Sequence, residues 1–333
     1  MSVFVHKDFQ EQLTILENRN MKINNREKSI RTLQVVSYYK IKEFAHPFVD
    51  KSKEDIDYNG ISFELIISRY YQDKNLRISL LHAIEDIEVA LQTQISYVLG
   101  KDNYGPYGYL NFYTWCNRDE YCGHFLSLKE KEFKKQLKTA LYKNKSPEIK
   151  EKMRVDNQKY PPIWLGINLL TFGQLLEMLD LMSNRNLSII SQEYGCTNLE
   201  LISWLRCLNL IRNICAHNSN IIDIRLKTMP LLRSEWQNWL HEYKENTFSN
   251  RVAIPVILTN YFIKRINPNY IFDDIANSVQ KLIKKDDKTA QYFGFKNQKV
   301  IEEICPSLRD SPRKKRRRKE SKVGNHNSNR RAI

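Results

Sequence analysis

The sequence contains little glycine, no long apolar stretch and no regular cysteine pattern. Ten glycines in 333 residues are about half of the usual share, which argues against sandwiches, barrels and glycine-rich nucleotide folds. No run of about 18 apolar residues predicts a membrane span, and the first residues lack the layout of a signal peptide. We therefore expect an all-α protein in the cytoplasm.

Metal-binding patterns are also missing. Cys116, Cys122 and His124 lie close in sequence, but no fourth ligand follows at the spacing of a zinc finger. The six cysteines form no C-x-x-C pair, which is typical of reduced thiols. The clustered carboxylates of a two-metal nuclease are absent from the sequence as well. We therefore predict no metal and no cofactor.

The charge is strongly positive and unevenly distributed. The net charge is +15, and residues 312–333 contribute +9 of it through ten Lys or Arg and one Glu. This excess favours a polyanionic partner. We expect the end of the chain to be a disordered basic tail that adds salt-sensitive affinity for RNA. Its predicted RNA-binding residues are Arg313, Lys314, Lys315, Arg316, Arg317, Arg318 and Lys319.

Apolar periodicity predicts helices along most of the chain. The longest is expected at 61–99, where Leu76, Leu80 and Ile84 begin a stripe with helical steps. The other expected helices cover 7–19, a segment from Asn25 through Phe44, 126–144, a short one from Pro147, 163–182, 198–218, 231–245, 252–266, 270–286 and 297–304.

These patterns suggest four parts of the chain. We predict an N-terminal helical segment at 1–60, a helical core at 61–225, accessory helices at 226–311 and the basic tail at 312–333.

A candidate for chemistry stands at the end of the helix expected at 198–218. Arg212 and His217 form an R-x-x-x-x-H pattern, and Arg77 and His82 have the same spacing. Inside a regular helix, five residues turn a side chain by about 140°, so the members of the earlier pair should diverge. Arg212 and His217 precede polar residues that favour a helix end, where fraying can bring His217 round. Asn213 shares a face with His217.

Four blocks of residues follow one another in collinear order over roughly residues 9–225. They are Gln10 and Gln12-Leu13 with Ser37–Ile41, Leu76-Arg77 with Ala83–Leu91, Pro162-Ile163-Trp164 with Thr171-Phe172-Gly173, and Trp204-Leu205 with Arg212–His217. In these blocks the chain resembles the Abi-like family of bacterial abortive-infection proteins, whose catalytic module belongs to the HEPN group of ribonucleases. Asn168 stands where the family often has Glu, and Asn220–Asp223 replace an Arg, an aromatic residue and an Asn.

The resemblance implies an HEPN-like helical bundle that acts as a metal-independent endoribonuclease in bacterial phage defence. His217 would move the proton and Arg212 would bind the phosphate, with Asn213 beside them. Glu85 and Glu88 share a helix face and are candidates to orient Arg212, although a solvated or ion-paired face is the alternative. The family also implies a homodimer that joins two Arg–His pairs.

Two other functions fit parts of the sequence. A non-catalytic RNA-binding or sensor protein of phage defence would use the same fold, with Arg212 only gripping phosphate. A nuclear protein would explain the string from Pro312 to Lys319, which is similar to a nuclear-localisation signal. RNA is the expected substrate, and an inhibitory small RNA or partner protein is a further hypothesis.

Overall fold

The computed structural model describes residues 6–101, 103–284 and 286–306, and this part of the chain is predominantly α-helical. The predicted all-α fold is confirmed. The predicted basic tail lies outside the described residues. In chain order, the α-helices are α1 (Phe9–Asn18), α2 (Arg26–Val35), α3 (Tyr38–Ala45), α4 (Phe63–Leu99), α5 (Phe112–Trp115), α6 (Gly123–Lys143), α7 (Pro147–Val155), α8 (Ile163–Gly166), α9 (Phe172–Leu181), α10 (Asn184–Glu193), α11 (Asn198–Ala216), α12 (Ser234–Gln237), α13 (Ala253–Ile266), α14 (Asp273–Ile283), α15 (Asp287–Tyr292) and α16 (Val300–Ile304).

Short elements complete the described chain. Three 3₁₀ turns cover His46–Phe48, Gly108–Leu110 and Ile167–Leu169. Strands β1 (Glu242–Lys244) and β2 (Thr247–Phe248) form a small antiparallel hairpin.

Helix α4 is the centre of the architecture. Its 37 residues contain neither glycine nor proline, and the side chain of Ser62 caps its first turn by accepting the N–H of Leu65. The predicted stripe from Leu76 to Val98 is buried, as expected for a helix with apolar residues at steps of three and four. Helices α3, α11, α13 and α14 all pack against α4.

Three sequence-based predictions of helix extent are wrong. The helix expected from Asn25 to Phe44 is two helices, because Val36 is extended and Ser37 caps α3. The helix expected at 163–182 is interrupted at Leu170, after which Thr171 and Gln174 form a capping box that starts α9. Local capping therefore overrides a continuous apolar pattern.

The third wrong prediction is the helix expected at 231–245, where only the short α12 and the hairpin are found. Tertiary contacts hold this segment against α11 instead. Arg233 is ion-paired with Glu200 at 2.9 Å, and the rings of Trp236 and Trp204 lie 4.8 Å apart. Asn246 adopts a left-handed conformation in the hairpin turn.

A buried ion pair fixes α4 to the segment that follows α11. Asp73 and Arg77 are almost fully buried, with Oδ2 of Asp73 2.6 Å from Nε of Arg77. The other carboxylate oxygen of Asp73 accepts the backbone N–H groups of Ile221 at 2.8 Å and Ile222 at 3.1 Å. Burial raises the pKa of Asp73 despite these partners, which indicates how costly the buried charge is.

We expect Arg77→Ala to lower the free energy of unfolding by about 3–5 kcal/mol, because it leaves the Asp73 carboxylate buried without its cation. Arg31→Ala is the matched control, since Arg31 pairs with Glu27 on an exposed helix face where an ion pair contributes little. Urea denaturation of both variants measures the difference. Equal stabilities for the two variants would contradict this account of Asp73.

Candidate functional site

The R-x-x-x-x-H motif lies at the C-terminal end of α11, as predicted. The backbone N–H of His217 still donates to the carbonyl of Asn213 at 3.0 Å, so the helix has not frayed at His217. The next residue, Asn218, takes the left-handed conformation with φ of 56°. The N–H of Ser219 then closes the end by donating to the carbonyl of Ile214 at 3.0 Å, in the pattern of a Schellman motif.

This regular geometry separates Arg212 from His217. Their side chains leave the helix axis about 140° apart, whereas Asn213 and His217 are only about 40° apart. The expectation that a fraying end brings His217 round to Arg212 is therefore wrong. Within one chain, α11 presents Asn213 and His217 on one face and Arg212 on another.

Arg212 faces Glu88 of α4. Its Nε lies 3.6 Å from Oε2 of Glu88, and the side chains are 34% and 12% exposed, respectively. The Nε has no hydrogen-bond partner, and the described residues give the two Nη groups of Arg212 no partner either. The contact therefore places one edge of the guanidinium beside Glu88 and leaves the other edge without a partner among the described residues.

Glu88, a residue of α4, also lies beside the first residue of α9. Its carboxylate accepts the backbone N–H of Phe172, and burial raises the pKa of Glu88, although Arg212 lowers it and the charge of Glu85 raises it further. Of the two predicted orienting residues, Glu88 contacts Arg212. Glu85 is exposed and acts on the pair only through its charge.

Asn213 and His217 are both exposed to solvent. In the described chain, no hydrogen bond engages the imidazole of His217. This leaves both ring nitrogens free for a ligand.

The loop after His217 is fixed by residues that the sequence did not single out. The ammonium of Lys40 donates to the carbonyl of Asn218 at 2.8 Å, and Glu43 accepts the backbone N–H of Asn220 at 3.3 Å. Asp73 holds the next two residues, as described above. The sequence pointed to Lys40 only as a member of the Ser37–Ile41 block, and it gave no indication that Lys40 contacts the loop after His217.

The second match to the motif spacing is not a site. Arg77 is buried against Asp73, while His82 is exposed and its Nδ1 lies 3.0 Å from the hydroxyl of Tyr270. The two side chains diverge, as the sequence predicted. Arg77 therefore has a structural role.

A large open groove runs beside α11. Its volume is about 1200 Å³, and its walls include Leu210 and Ile214 of α11 together with Arg225 and Lys227. His217 follows Leu210 by two turns and so continues the helix face that lines the groove. Arg225 and Lys227 are exposed, and the described residues offer neither of them an ion pair. The groove therefore extends from the face of α11 that carries His217 to the side chains of Arg225 and Lys227, which have no ion-pair partner among the described residues.

Five of the six cysteines, namely Cys116, Cys122, Cys196, Cys207 and Cys215, are free thiols. Burial raises the pKa of Cys116 to about 12. Among residues 6–101, 103–284 and 286–306, no group of three or more His, Cys, Asp or Glu side chains could hold a metal ion. The helices in these ranges include none that is long and apolar enough to cross a membrane.

We expect Glu88→Gln to raise the free energy of unfolding near neutral pH. Because the folded-state pKa of Glu88 is raised, the ionised carboxylate costs stability above that pKa, and glutamine removes the cost. The gain should shrink as the pH falls through the raised pKa and the native carboxyl becomes neutral.

Urea denaturation at about pH 7.5 and about pH 4.5 measures this dependence. Glu54→Gln is the control, because Glu54 is exposed and should give little change at either pH. A Glu88→Gln variant less stable than the wild type at the higher pH would show that the carboxylate is net stabilising.

Comparison with known proteins identifies the family. A family model described as "Abi-like protein" matches residues 31–223, which is more than half of the chain and includes Glu88, Arg212 and His217. No curated protein and no solved structure matches the chain. The chain therefore belongs to the Abi-like protein family, and this membership supports a role in abortive infection, a defence of bacteria against phage.

Proposed function

We propose that this protein is a metal-independent endoribonuclease of the HEPN type that cleaves RNA during abortive infection. The observation that carries the proposal is the free imidazole of His217 at the end of α11, with Asn213 on the same face. Arg212, whose guanidinium is anchored by Glu88 at 3.6 Å, supplies the cation.

RNA brings its own nucleophile to this reaction. The 2′-oxygen attacks the adjacent phosphorus, its proton passes to a base, and the bond from phosphorus to the 5′-oxygen breaks as that oxygen takes up a proton. The products are a 2′,3′-cyclic phosphate and a 5′-hydroxyl. Histidine suits the proton transfers because its ordinary pKa lies near neutral pH.

Arg212 stabilises the charge that develops on the phosphate oxygens. A guanidinium presents its donors in a rigid fork, and the contact with Glu88 leaves the Nη edge of Arg212 free for phosphate. Asn213 can donate to a phosphate oxygen or hold the imidazole through its amide. Glu88 is a positioning residue in this scheme.

The separation of Arg212 and His217 around α11 favours a site built from two copies of the chain. Within one copy the two side chains point about 140° apart, whereas a twofold axis beside α11 would set His217 of one copy against Arg212 of the other. This separation supports the homodimer that the family resemblance implies.

The groove beside α11 supplies a path for the RNA strand. Arg225 and Lys227 line it, and each can neutralise one backbone phosphate without reading sequence.

We expect Arg212→Ala and His217→Ala each to reduce RNA cleavage by about 100-fold or more, because each removes a transition-state interaction. Purified protein is incubated with mixed cellular RNA in EDTA, and fragments are tested for 2′,3′-cyclic phosphate ends. His82→Ala and Arg31→Ala are matched controls on exposed surfaces. Arg77→Ala is unsuitable as a control because it disrupts the buried pair with Asp73.

Equal cleavage by the wild type and both site variants would place the activity elsewhere or in a contaminant. RNA binding without cleavage, in the presence or absence of phage infection, would favour the non-catalytic RNA-binding function.

We expect a mixture of Arg212→Ala and His217→Ala, refolded together, to recover about a quarter of the wild-type activity. Half of the randomly formed dimers would be mixed, and one of their two shared sites would keep both residues. Light scattering after size-exclusion chromatography measures the dimer. An inactive mixture, or a fully active monomer, would contradict a site shared between copies.

A further inference from the structure

A second cavity lies apart from the groove, between the 3₁₀ turn at 46–48, α4 and the α14–α15 region. Its volume is about 340 Å³, and it shares no lining residue with the groove beside α11. Three of its lining side chains are cationic, namely Arg69, Lys284 and Lys288. The cavity is therefore a separate candidate for ligand binding.

The positive charge of this cavity is only partly neutralised. Arg69 pairs with Asp223 at 2.6 Å through one Nη, but its buried Nε has no hydrogen-bond partner. Lys284 and Lys288 are exposed, and no ion pair within the described chain involves either ammonium. The nearby carboxylate of Asp286 is engaged by Thr289. An anion entering the cavity would thus meet donors that the protein leaves unused.

Much of the remaining lining of the cavity is apolar, although Gln72, Thr289 and Tyr292 also line it. Phe48, Leu65 and Leu282 contribute to its walls, and the Arg69 guanidinium lies 5.2 Å from the centre of the Phe48 ring. A ligand that fits both features carries negative charge at one end and a flat or apolar body at the other. The combination of buried apolar walls with a few charged groups is typical of small-molecule sites.

The size of the cavity selects the kind of ligand. A volume of 340 Å³ is near the lower limit of about 300–1000 Å³ for small-molecule pockets, which is too small for an RNA strand or a protein helix. We propose that this cavity binds a phosphate-bearing small molecule of mononucleotide size, with its phosphate among Arg69, Lys284 and Lys288 and its base against the apolar wall.

The cavity is connected to the loop that follows His217. Asp223, the partner of Arg69, also accepts the hydroxyl of Tyr292 at 2.8 Å and the side-chain amide of Asn220 at 2.8 Å. A phosphate that draws on Arg69 competes with Asp223 and so loosens the hold on this loop. A change in RNA cleavage caused through this loop would rest on the proposed function, whereas ligand binding itself does not.

Isothermal titration of the full chain with AMP tests the binding site, with inorganic phosphate and adenosine as separate probes in about 0.15 M salt. We expect AMP to bind more tightly than either fragment. Lys288→Gln should weaken AMP binding on the order of tenfold by removing one phosphate contact. Lys281→Gln is the matched control, because Lys281 is an exposed lysine of α14 that does not line the cavity.

The variant Asp223→Asn tests the opposite effect on AMP affinity from that of Lys288→Gln. Removing its negative charge frees Arg69 and should tighten AMP binding several-fold, provided that thermal unfolding shows a folded variant. Equal AMP affinities for the wild type and Lys288→Gln, or adenosine or phosphate binding as tightly as AMP, would overturn the proposal. Weaker binding by folded Asp223→Asn would overturn the competition between Asp223 and the phosphate.

The His217→Ala variant separates this inference from the proposed ribonuclease activity. We expect it to bind AMP as the wild type does, because His217 does not line the cavity. AMP binding by a wild-type chain that never cleaves RNA would support the cavity proposal and contradict the proposed nuclease. RNA cleavage by a wild-type chain that binds no AMP would contradict the cavity proposal and leave the nuclease in place.

Discussion

The buried carboxylate of Asp73 is the contact on which the arrangement around the candidate site depends. It joins Arg77 on the central helix α4 to the backbone of Ile221 and Ile222, which lie just beyond the end of α11. A buried charge is tolerated only when its oxygens are paired, so this segment has little freedom to move. The position of His217 at the end of α11 is thereby tied to α4.

Helix α4 also provides the residue that contacts Arg212, the candidate cation on α11. Glu88 lies four turns after Asp73 and meets Arg212 together with the first N–H of α9. Burial works against the ionised form of Glu88, so the carboxylate is kept at some cost to stability. Such a cost is common where a charged group positions another for function, which agrees with the role proposed for Arg212.

Helix geometry is the reason for proposing a site that is shared between two chains. A regular α11 carries His217 and Arg212 on different faces, and its Schellman ending keeps the last turn intact. The proposed site therefore takes these two residues from different chains. Arg69, which lines the second cavity, is joined to the loop after His217 because Asp223 contacts both Arg69 and Asn220.

Much of the secondary structure could be predicted from the sequence, because it depends on local spacing and capping. The buried stripe of α4 and the helix that ends near His217 are clear from periodicity alone. The interruption before Thr171 could also have been found from its capping box with Gln174. The segment around Arg233 could not, because Glu200 and Trp204 hold it in an irregular path through contacts distant in sequence.

The sequence by itself determined the excess of positive charge, the helical class and the presence of two pairs with the same spacing. Only the tertiary structure decided what each pair contacts. Arg77 and Arg212 are the same residue type in the same motif, but one is enclosed by Asp73 and the other keeps a free edge beside Glu88. The reason is physical, since burial and ion pairing arise from neighbours that packing brings together and that spacing along the chain does not specify.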